Sequence, residues 1–110
     1  MSVEKGRDLR VVLCTCPPDH ANQVARALLE KRLAACVNVI PGVRSLYWWN
    51  DTLAEDGESL LVIKTPQSRI SSLESHLGEI HPYDVPEMLS LAVDEGADTY
   101  LSWVRESVAC

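Results

Sequence analysis

Two cysteines in an apolar stretch near the start of the chain are the first residues that could do chemistry. Cys14 and Cys16 lie two positions apart within residues 9–16 (LRVVLCTC), whose β-branched and apolar composition is typical of a buried strand. Their side chains therefore point to the same face, and soft thiolates suit Cu(I) or Zn(II). The alternative is that both thiols are small core side chains, because C-x-C is a weaker metal signal than paired C-x-x-C motifs.

His81 and Glu87 begin and end a proline-containing segment, HPYDVPE, that precedes the last predicted strand. The His81 imidazole could bind a metal or titrate, or it could stabilise the last carbonyls of the preceding helix. The Glu87 carboxylate could complete a ligand set with Cys14 and His81, or it could accept hydrogen bonds that fix the loop. The prolines stiffen this segment, so Tyr83 between them either lines a ligand cleft or belongs to a rigid connector.

The sequence contains no recognisable catalytic motif: neither G-x-S-x-G, a P-loop nor H-E-x-x-H is present. A nucleophilic pair of Cys14 and His81 would need a lowered thiol pKa, and a thiol in an apolar strand has the opposite shift. We therefore predict that the protein is not an enzyme.

Composition and charge restrict the class of protein and its partners. The chain has 110 residues, 46% of them hydrophobic, which is enough for the core of one domain. Its net charge of −6 disfavours nucleic acid and anionic membranes as partners, because both need clustered Lys and Arg. No signal-type apolar stretch follows the polar first residues, and the cysteine spacing shows no disulfide framework. We expect a cytoplasmic protein.

Hydrophobic periodicity predicts four strands and three helices. Residues 1–8 are polar and are predicted to be frayed, and residues 9–110 to form a single domain. The predicted elements are a strand over 9–16, a helix over 19–33 capped by Asp19, an extended segment over 35–49 with a bend at Pro41-Gly42, a strand over 59–65, a helix over 68–80, a strand over 88–93 and a helix from Asp98 or Thr99.

This order of elements determines the predicted fold class. Two right-handed βαβ crossovers place both helices on one face of an antiparallel sheet. The result is an α+β, ferredoxin-like βαββαβ sandwich with a long hairpin between its second and third strands and a C-terminal helix.

The long hairpin predicts that the protein is an oligomer. Fully extended, residues 35–49 would span about 50 Å, whereas a globule of this size is about 35 Å across. The tip contains adjacent aromatic side chains that point to opposite faces, so both faces need burial. We predict an interface between chains formed by Leu46, Tyr47, Trp48 and Trp49, the alternative being a hairpin folded over its own sheet.

Five segments, in this order, resemble one family. They are residues 12–15 (VLCT), 33–38 (LAACVN), 45–49 (SLYWW), 81–87 (HPYDVPE) and 100–103 (YLSW). Together they resemble the CutA family of divalent-cation tolerance proteins over about residues 9–107. Three positions depart from the family's usual pattern: Ala92 stands where many relatives have Pro, Thr52 where a Lys is frequent, and Ile80 where some have a second His.

The resemblance implies more than the residues do by themselves. It implies a fold like that of the PII signalling proteins, a homotrimer whose hairpins reach across to neighbouring chains, and a role in copper tolerance without enzymatic activity. It also implies a metal role for Cys14 and a copper-ligand role for His81, with copper or another divalent cation as the ion and no organic cofactor. The alternative function is a signalling or scaffold trimer that binds a small molecule or protein at the cleft between subunits.

Overall fold

The structure is a computed structural model, and it describes residues 2–109. Met1 and Cys110, the outer ends of the predicted segments 1–8 and 9–110, lie outside the described residues. The elements in chain order are β1 (Val3–Lys5), β2 (Leu9–Cys16), α1 (Ala21–Glu30), β3 (Cys36–Trp49), β4 (Thr52–Pro66), a 3-10 helix (Gln67–Arg69), α2 (Ile70–Ile80), β5 (Leu89–Ala92), β6 (Glu95–Ala97) and α3 (Asp98–Val108).

The main sheet has four strands in the order β3, β4, β2, β5, and every neighbouring pair is antiparallel. Strands β2 and β3 both pair with β4, so they run parallel to each other and α1 joins them by a crossover. The same relation holds for β4 and β5, which flank β2 and are joined through α2. This is the ferredoxin-like βαββαβ arrangement, and the predicted fold class is confirmed.

The core lies between one face of this sheet and the helices α1 and α2. Strand β2 contributes Val12, Cys14 and Cys16, which alternate with less buried residues as a one-faced strand requires. The helices contribute apolar residues at helical spacing. Further core residues are Val24, Leu28, Leu61, Ile63, Leu73 and Leu77.

The first helix is shorter than its sequence predicts. The residue at its N-cap is His20, which makes no side-chain capping bond. The predicted cap by Asp19 is therefore wrong, because Asp19 lies one residue before the N-cap position. It ends at Glu30 because Arg32 takes a left-handed conformation with φ 56°. The Arg32 N–H donates to the Leu29 carbonyl, and the Leu33 N–H donates to the Leu28 carbonyl. These two hydrogen bonds form a Schellman motif.

The expectation of a frayed segment over residues 1–8 is wrong for Val3–Lys5. These residues form β1, which pairs antiparallel with β6. The Arg105 side chain on α3 bonds Asp8 at 2.8 Å and Glu4 at 3.1 Å, so the terminal segment is attached to the last helix. A separate apolar cluster of Leu9, Leu101 and Val104 supports this end of the molecule.

Strands β3 and β4 form a hairpin that projects from the body. Their register shifts between Ile40 and Val43, where Gly42 has φ 77°, and this confirms the predicted bend at Pro41-Gly42. Asn50 and Asp51 both have positive φ, as the two central residues of a type I′ hairpin turn do. The molecule measures 47 × 25 × 22 Å, so the hairpin extends outward.

One face of the main sheet is largely uncovered. Because side chains alternate along a strand, Leu9 points away from the α1/α2 layer, and α3 packs on it there. Beyond α3 the same face continues with apolar residues that range from half-buried to exposed: Val11, Leu13, Ile40, Leu60, Val62, Leu89 and Leu91. We call these seven residues the open sheet face. Among residues 2–109, no helix is long and apolar enough to cross a membrane.

Candidate functional site

A cleft lies between one side of the hairpin and the loop that joins α2 to β5. Its volume is about 640 Å³, and the end of β2 forms its floor at Thr15. Its walls combine acidic and aromatic side chains, and none of the described residues that line it is Lys, Arg or His. The acidic residues are Asp56, Glu58, Asp84 and Glu87, and the aromatic ones are Tyr47, Trp49 and Tyr83.

The predicted ligand Cys14 is a fully buried core residue. Its relative exposure is 0%, and its thiol approaches the Thr15 carbonyl oxygen at 3.7 Å. Burial raises the pKa of this thiol to about 12, and the nearby Cys16, Glu87 and Glu58 add to the shift. Burial also raises the pKa of Cys16. Both cysteines are therefore thiols at neutral pH, and Cys14 lacks the thiolate that a nucleophile needs.

His81 is a buried histidine that joins three parts of the chain. It follows α2 directly and has a relative exposure of 6%. Its Nε2 lies 2.8 Å from the Thr15 carbonyl oxygen, and the Tyr83 N–H donates to Nδ1 at 3.1 Å. Since a carbonyl can only accept, Nε2 carries the proton and Nδ1 accepts. A metal could bind this imidazole only after one of the two bonds broke.

The predicted site residues do not form a metal site within one chain. Glu87 is exposed on the cleft wall, and its charge contributes to the raised pKa of Cys14. Across residues 2–109, however, no group of three or more His, Cys, Asp or Glu side chains is arranged to hold a metal ion. The set of Cys14, His81 and Glu87 stays a prediction that requires rearrangement or a second chain.

Two pairs of a tyrosine and an acid in the cleft are absent from the sequence-based site. The Tyr83 hydroxyl donates to Glu58 at 2.9 Å, and the Tyr47 hydroxyl donates to Asp56. The pKa of Tyr83 is raised by burial and by Glu58, and that of Tyr47 mainly by its bond to Asp56. The sequence offered no local signal for these pairs, because the hairpin register that places Glu58 opposite Val43 is set by strand pairing in the folded chain.

The four predicted interface residues are all exposed at the end of the hairpin. Trp48 is 73% and Trp49 is 64% exposed, and Leu46 and Tyr47 are also in contact with solvent. Tyr47 and Trp49 share the side of the hairpin that faces the cleft, because their positions alternate with Trp48. The chain therefore leaves large apolar side chains unburied on both sides of one ribbon.

A second cleft, of about 460 Å³, lies beside α2 on the opposite layer. It is lined by Lys31, Leu33, Ser71, Ser72, Ser75, His76 and Glu79, and it includes no residue of the predicted site.

Comparison with known proteins gives consistent matches over most of the chain. The family model "CutA1 divalent ion tolerance protein" matches residues 10–107. The "Divalent-cation tolerance protein CutA" of Pectobacterium atrosepticum is 46% identical over 102 residues, which are 92% of this chain and 93% of the relative.

Solved structures match equally well. The divalent cation tolerance protein of Thermus thermophilus has a TM-score of 0.89 at 43% identity, covering 92% of this chain and 99% of that one. A protein described as the "PII-like protein CutA" of Nostoc sp. has a TM-score of 0.85 at 31% identity, covering 91% of this chain and 97% of that one.

Proposed function

Because this chain belongs to the CutA1 divalent ion tolerance family, we propose that it acts as a homotrimeric metal-binding protein in tolerance to copper or other divalent cations. The observation that carries the homotrimer in this proposal is the combination of the open sheet face with the projecting aromatic hairpin. A second chain would cover both.

Self-association is supported by surface that one chain cannot bury. Leu89 and Leu91 on β5 and Ile40 on β3 expose about half of their surface on a single sheet face. Continuous apolar patches of this kind mark interaction sites on soluble proteins. The hairpin continues this surface beyond the body, so a neighbouring chain could pack against both. The trimeric state, as opposed to a dimer, rests on the family resemblance.

Metal binding is supported by the family and by the acid-rich cleft. Glu87 on its wall offers an exposed carboxylate, which is a suitable ligand for a divalent cation. Binding through Cys14 would be chemically different, because a thiol whose pKa is about 12 must first lose its proton. Binding through His81 would break a hydrogen bond to Thr15 or Tyr83.

The test is the mass of the protein by light scattering, together with titration of the reduced protein by Cu(I), Cu(II) and Zn(II). We expect three chains per particle and saturable binding of at least one ion. If Cys14 is a ligand, binding at neutral pH releases about one proton per ion and Cys14→Ser abolishes both. If only carboxylates bind, Glu87→Gln lowers the affinity and no proton is released. A monomer would overturn the first part of the proposal, and absence of saturable binding the second.

The second candidate function is a signalling or scaffold trimer that binds a small molecule or protein at the cleft between subunits, to which the cleft beside the hairpin would contribute, with metal binding incidental. It is favoured by the cleft volume of about 640 Å³, which is within the range of small-molecule sites. A thermal-shift screen of metabolites distinguishes the two, because only this second function predicts stabilisation by an organic ligand without metal.

We further propose a cytoplasmic location, since Cys14, Cys16 and Cys36 are free thiols, which suits a reducing compartment. Cell fractionation tests it, and recovery of the protein outside the cytoplasmic fraction would reject it.

A further inference from the structure

Cys36 and Lys64 are a thiol and an amine at directly opposite positions of β3 and β4. The strand register pairs the two residues, and the Ala35 N–H donates to the Lys64 carbonyl at 2.9 Å beside them. Side chains of directly opposite residues lie on the same side of a sheet, with Cβ atoms about 5 Å apart. The Lys64 Nζ is 4.0 Å from the Cys36 Sγ. The backbone of the sheet therefore holds two nucleophilic atoms close together.

The Lys64 amine is not held by a carboxylate. The ion pairs formed by residues 2–109 do not include Lys64. Its ammonium group donates instead to the side-chain oxygen of Asn38, two positions after Cys36 on β3. The Cys36 Sγ lies 4.0 Å from the same oxygen. Asn38 therefore keeps the amine on the side of the thiol.

Cys36 differs from the other described cysteines in its contact with solvent. Cys14 and Cys16 have a relative exposure of 0%, whereas Cys36 is half-buried. Burial and the neighbouring Cys36 thiol raise the pKa of Tyr100, which places α3 beside the pair. The pair adjoins the open sheet face but includes none of its seven residues and none of the hairpin tip. Neither proposed contact surface therefore has to open for a small oxidant to reach this thiol.

We propose that Cys36 and Lys64 form a reversible covalent cross-link when the protein meets hydrogen peroxide. The Cys36 sulfur attacks one peroxide oxygen and the O–O bond breaks, which gives a sulfenic acid and water; the sulfur loses two electrons and the peroxide gains them. The Lys64 nitrogen then bonds to the sulfur as the S–O bond breaks. The hydroxide leaves as water with one ammonium proton, and a second proton passes to solvent. The product is a sulfenamide that joins β3 to β4.

The cross-link is a redox-sensitive modification next to the surface proposed for association. It removes the positive charge of Lys64 and joins the two strands at the base of the projecting hairpin. An added dithiol reverses it: one thiolate attacks the sulfur and releases the amine, and the second thiol frees Cys36 and leaves the reagent oxidised. The reaction uses none of Cys14, His81 and Glu87, so its outcome is independent of the proposed metal binding.

The test treats the full-length wild type, in its native assembled state, with dilute hydrogen peroxide and then uses mass spectrometry without reductant. We expect each chain to lose about 2 Da, because two hydrogen atoms are removed. Trypsin should release residues 33–44, which contain Cys36, joined to residues 45–69, because trypsin does not cleave after a modified Lys64. This pair of peptides distinguishes the S–N bond from a disulfide of equal mass change. Dithiothreitol should separate the peptides.

Lys64→Arg is the decisive variant, because it keeps the positive charge but its delocalised guanidinium group is a poor nucleophile. The cross-link should be lost, and Cys36 should instead be labelled by dimedone, a reagent for sulfenic acids. Lys31→Arg is the matched control, because Lys31 is an exposed lysine at the end of α1, remote from β3 and β4 in the fold. It should cross-link as the wild type does.

Four results would overturn the proposed cross-link: no reaction at Cys36, its oxidation in the wild type without joined peptides, a cross-link that persists in Lys64→Arg, or a disulfide as the main product of Cys36. Circular dichroism checks folding of each variant. If Lys64→Arg does not fold, Lys64→Gln, which also removes the amine, decides the outcome.

Discussion

Replacing Leu91 with aspartate should dissociate the proposed trimer without unfolding its subunits. Leu91 lies on the edge strand β5, on the open sheet face, and is 48% exposed. Complete burial of a leucine side chain contributes about 1.5–3 kcal/mol, so covering the exposed half contributes about 1 kcal/mol per chain. Over three chains this is about 3 kcal/mol, or a factor of about 100 in the dissociation constant of the trimer.

Two variants at this position separate lost contact from added charge. Leu91→Ala should raise the dissociation constant of the trimer by about that hundredfold factor. Leu91→Asp adds an unpaired charge to each buried interface, which costs several further kcal/mol per chain, so we expect monomers at micromolar concentration. Since half of this side chain is already exposed in the single chain, the folded monomer should keep its secondary structure.

The assay is sedimentation velocity with light scattering, together with circular dichroism for folding. Gln23→Arg on α1 is the control, because it adds a charge to an exposed position on the opposite layer and should leave the trimer intact. A trimeric Leu91→Asp protein at micromolar concentration would show that the open sheet face is not the interface. Equal dissociation by the Gln23 variant would show that the effect is nonspecific.

Three further predictions concern single side chains. His81→Ala should lower the free energy of unfolding by about 2–4 kcal/mol in urea denaturation, because it leaves two backbone partners of the imidazole unpaired. Asp8→Asn should destabilise the protein at pH 7 but not at low pH, because the bond to Arg105 lowers the pKa of Asp8 in the folded protein. The stabilisation by Asp8 is present above its pKa in the unfolded chain and is lost as the pH falls through its pKa in the folded protein. Unfolding curves for both proteins from pH 7 to pH 2 would converge, and a constant difference would contradict this linkage. Iodoacetamide at pH 8 should label Cys36, which is partly exposed, well before the buried Cys14, as peptide mass spectrometry would show; equal labelling would contradict the raised pKa and burial of Cys14.

The elements that alternate or repeat clearly in hydrophobicity were predictable from the sequence. Strand β2 has the predicted bounds, Leu9–Cys16, because its buried residues alternate over most of its length and prolines follow it. The start of β4 was predicted at residue 59, whereas the strand begins at Thr52. Residues 52–58 (TLAEDGE) contain three acids and Gly57 and have Leu53 as their one large apolar side chain, so their composition indicates a loop. They become a strand because β3 pairs with them along the projecting hairpin, and that pairing is not encoded in their own composition.

Contacts between distant residues explain the parts that the sequence did not reveal. The segment Val3–Lys5 has the composition of a frayed terminus, yet it pairs with the strand Glu95–Ala97 near the other end of the chain. Likewise, the Thr15 carbonyl meets the His81 imidazole across 66 positions. A His before a proline has the same local sequence whether it is free to bind a metal or fully hydrogen-bonded, so only the folded structure shows that both nitrogens are engaged.

The Cys14 thiol, a soft donor, and the Glu58 carboxylate, a hard donor, lie in different environments. The thiol faces the core, where its packing and its raised pKa both favour the protonated form, and a metal bound there would have to displace core contacts. The carboxylates face the cleft, where a cation could bind without disturbing the core. Binding through carboxylates would therefore leave the native packing intact and stabilise the fold, whereas binding through Cys14 would be coupled to local opening. If the protein binds metal as proposed, the chemistry of the ion, hard or soft, would decide whether its binding strengthens or loosens this end of the sheet.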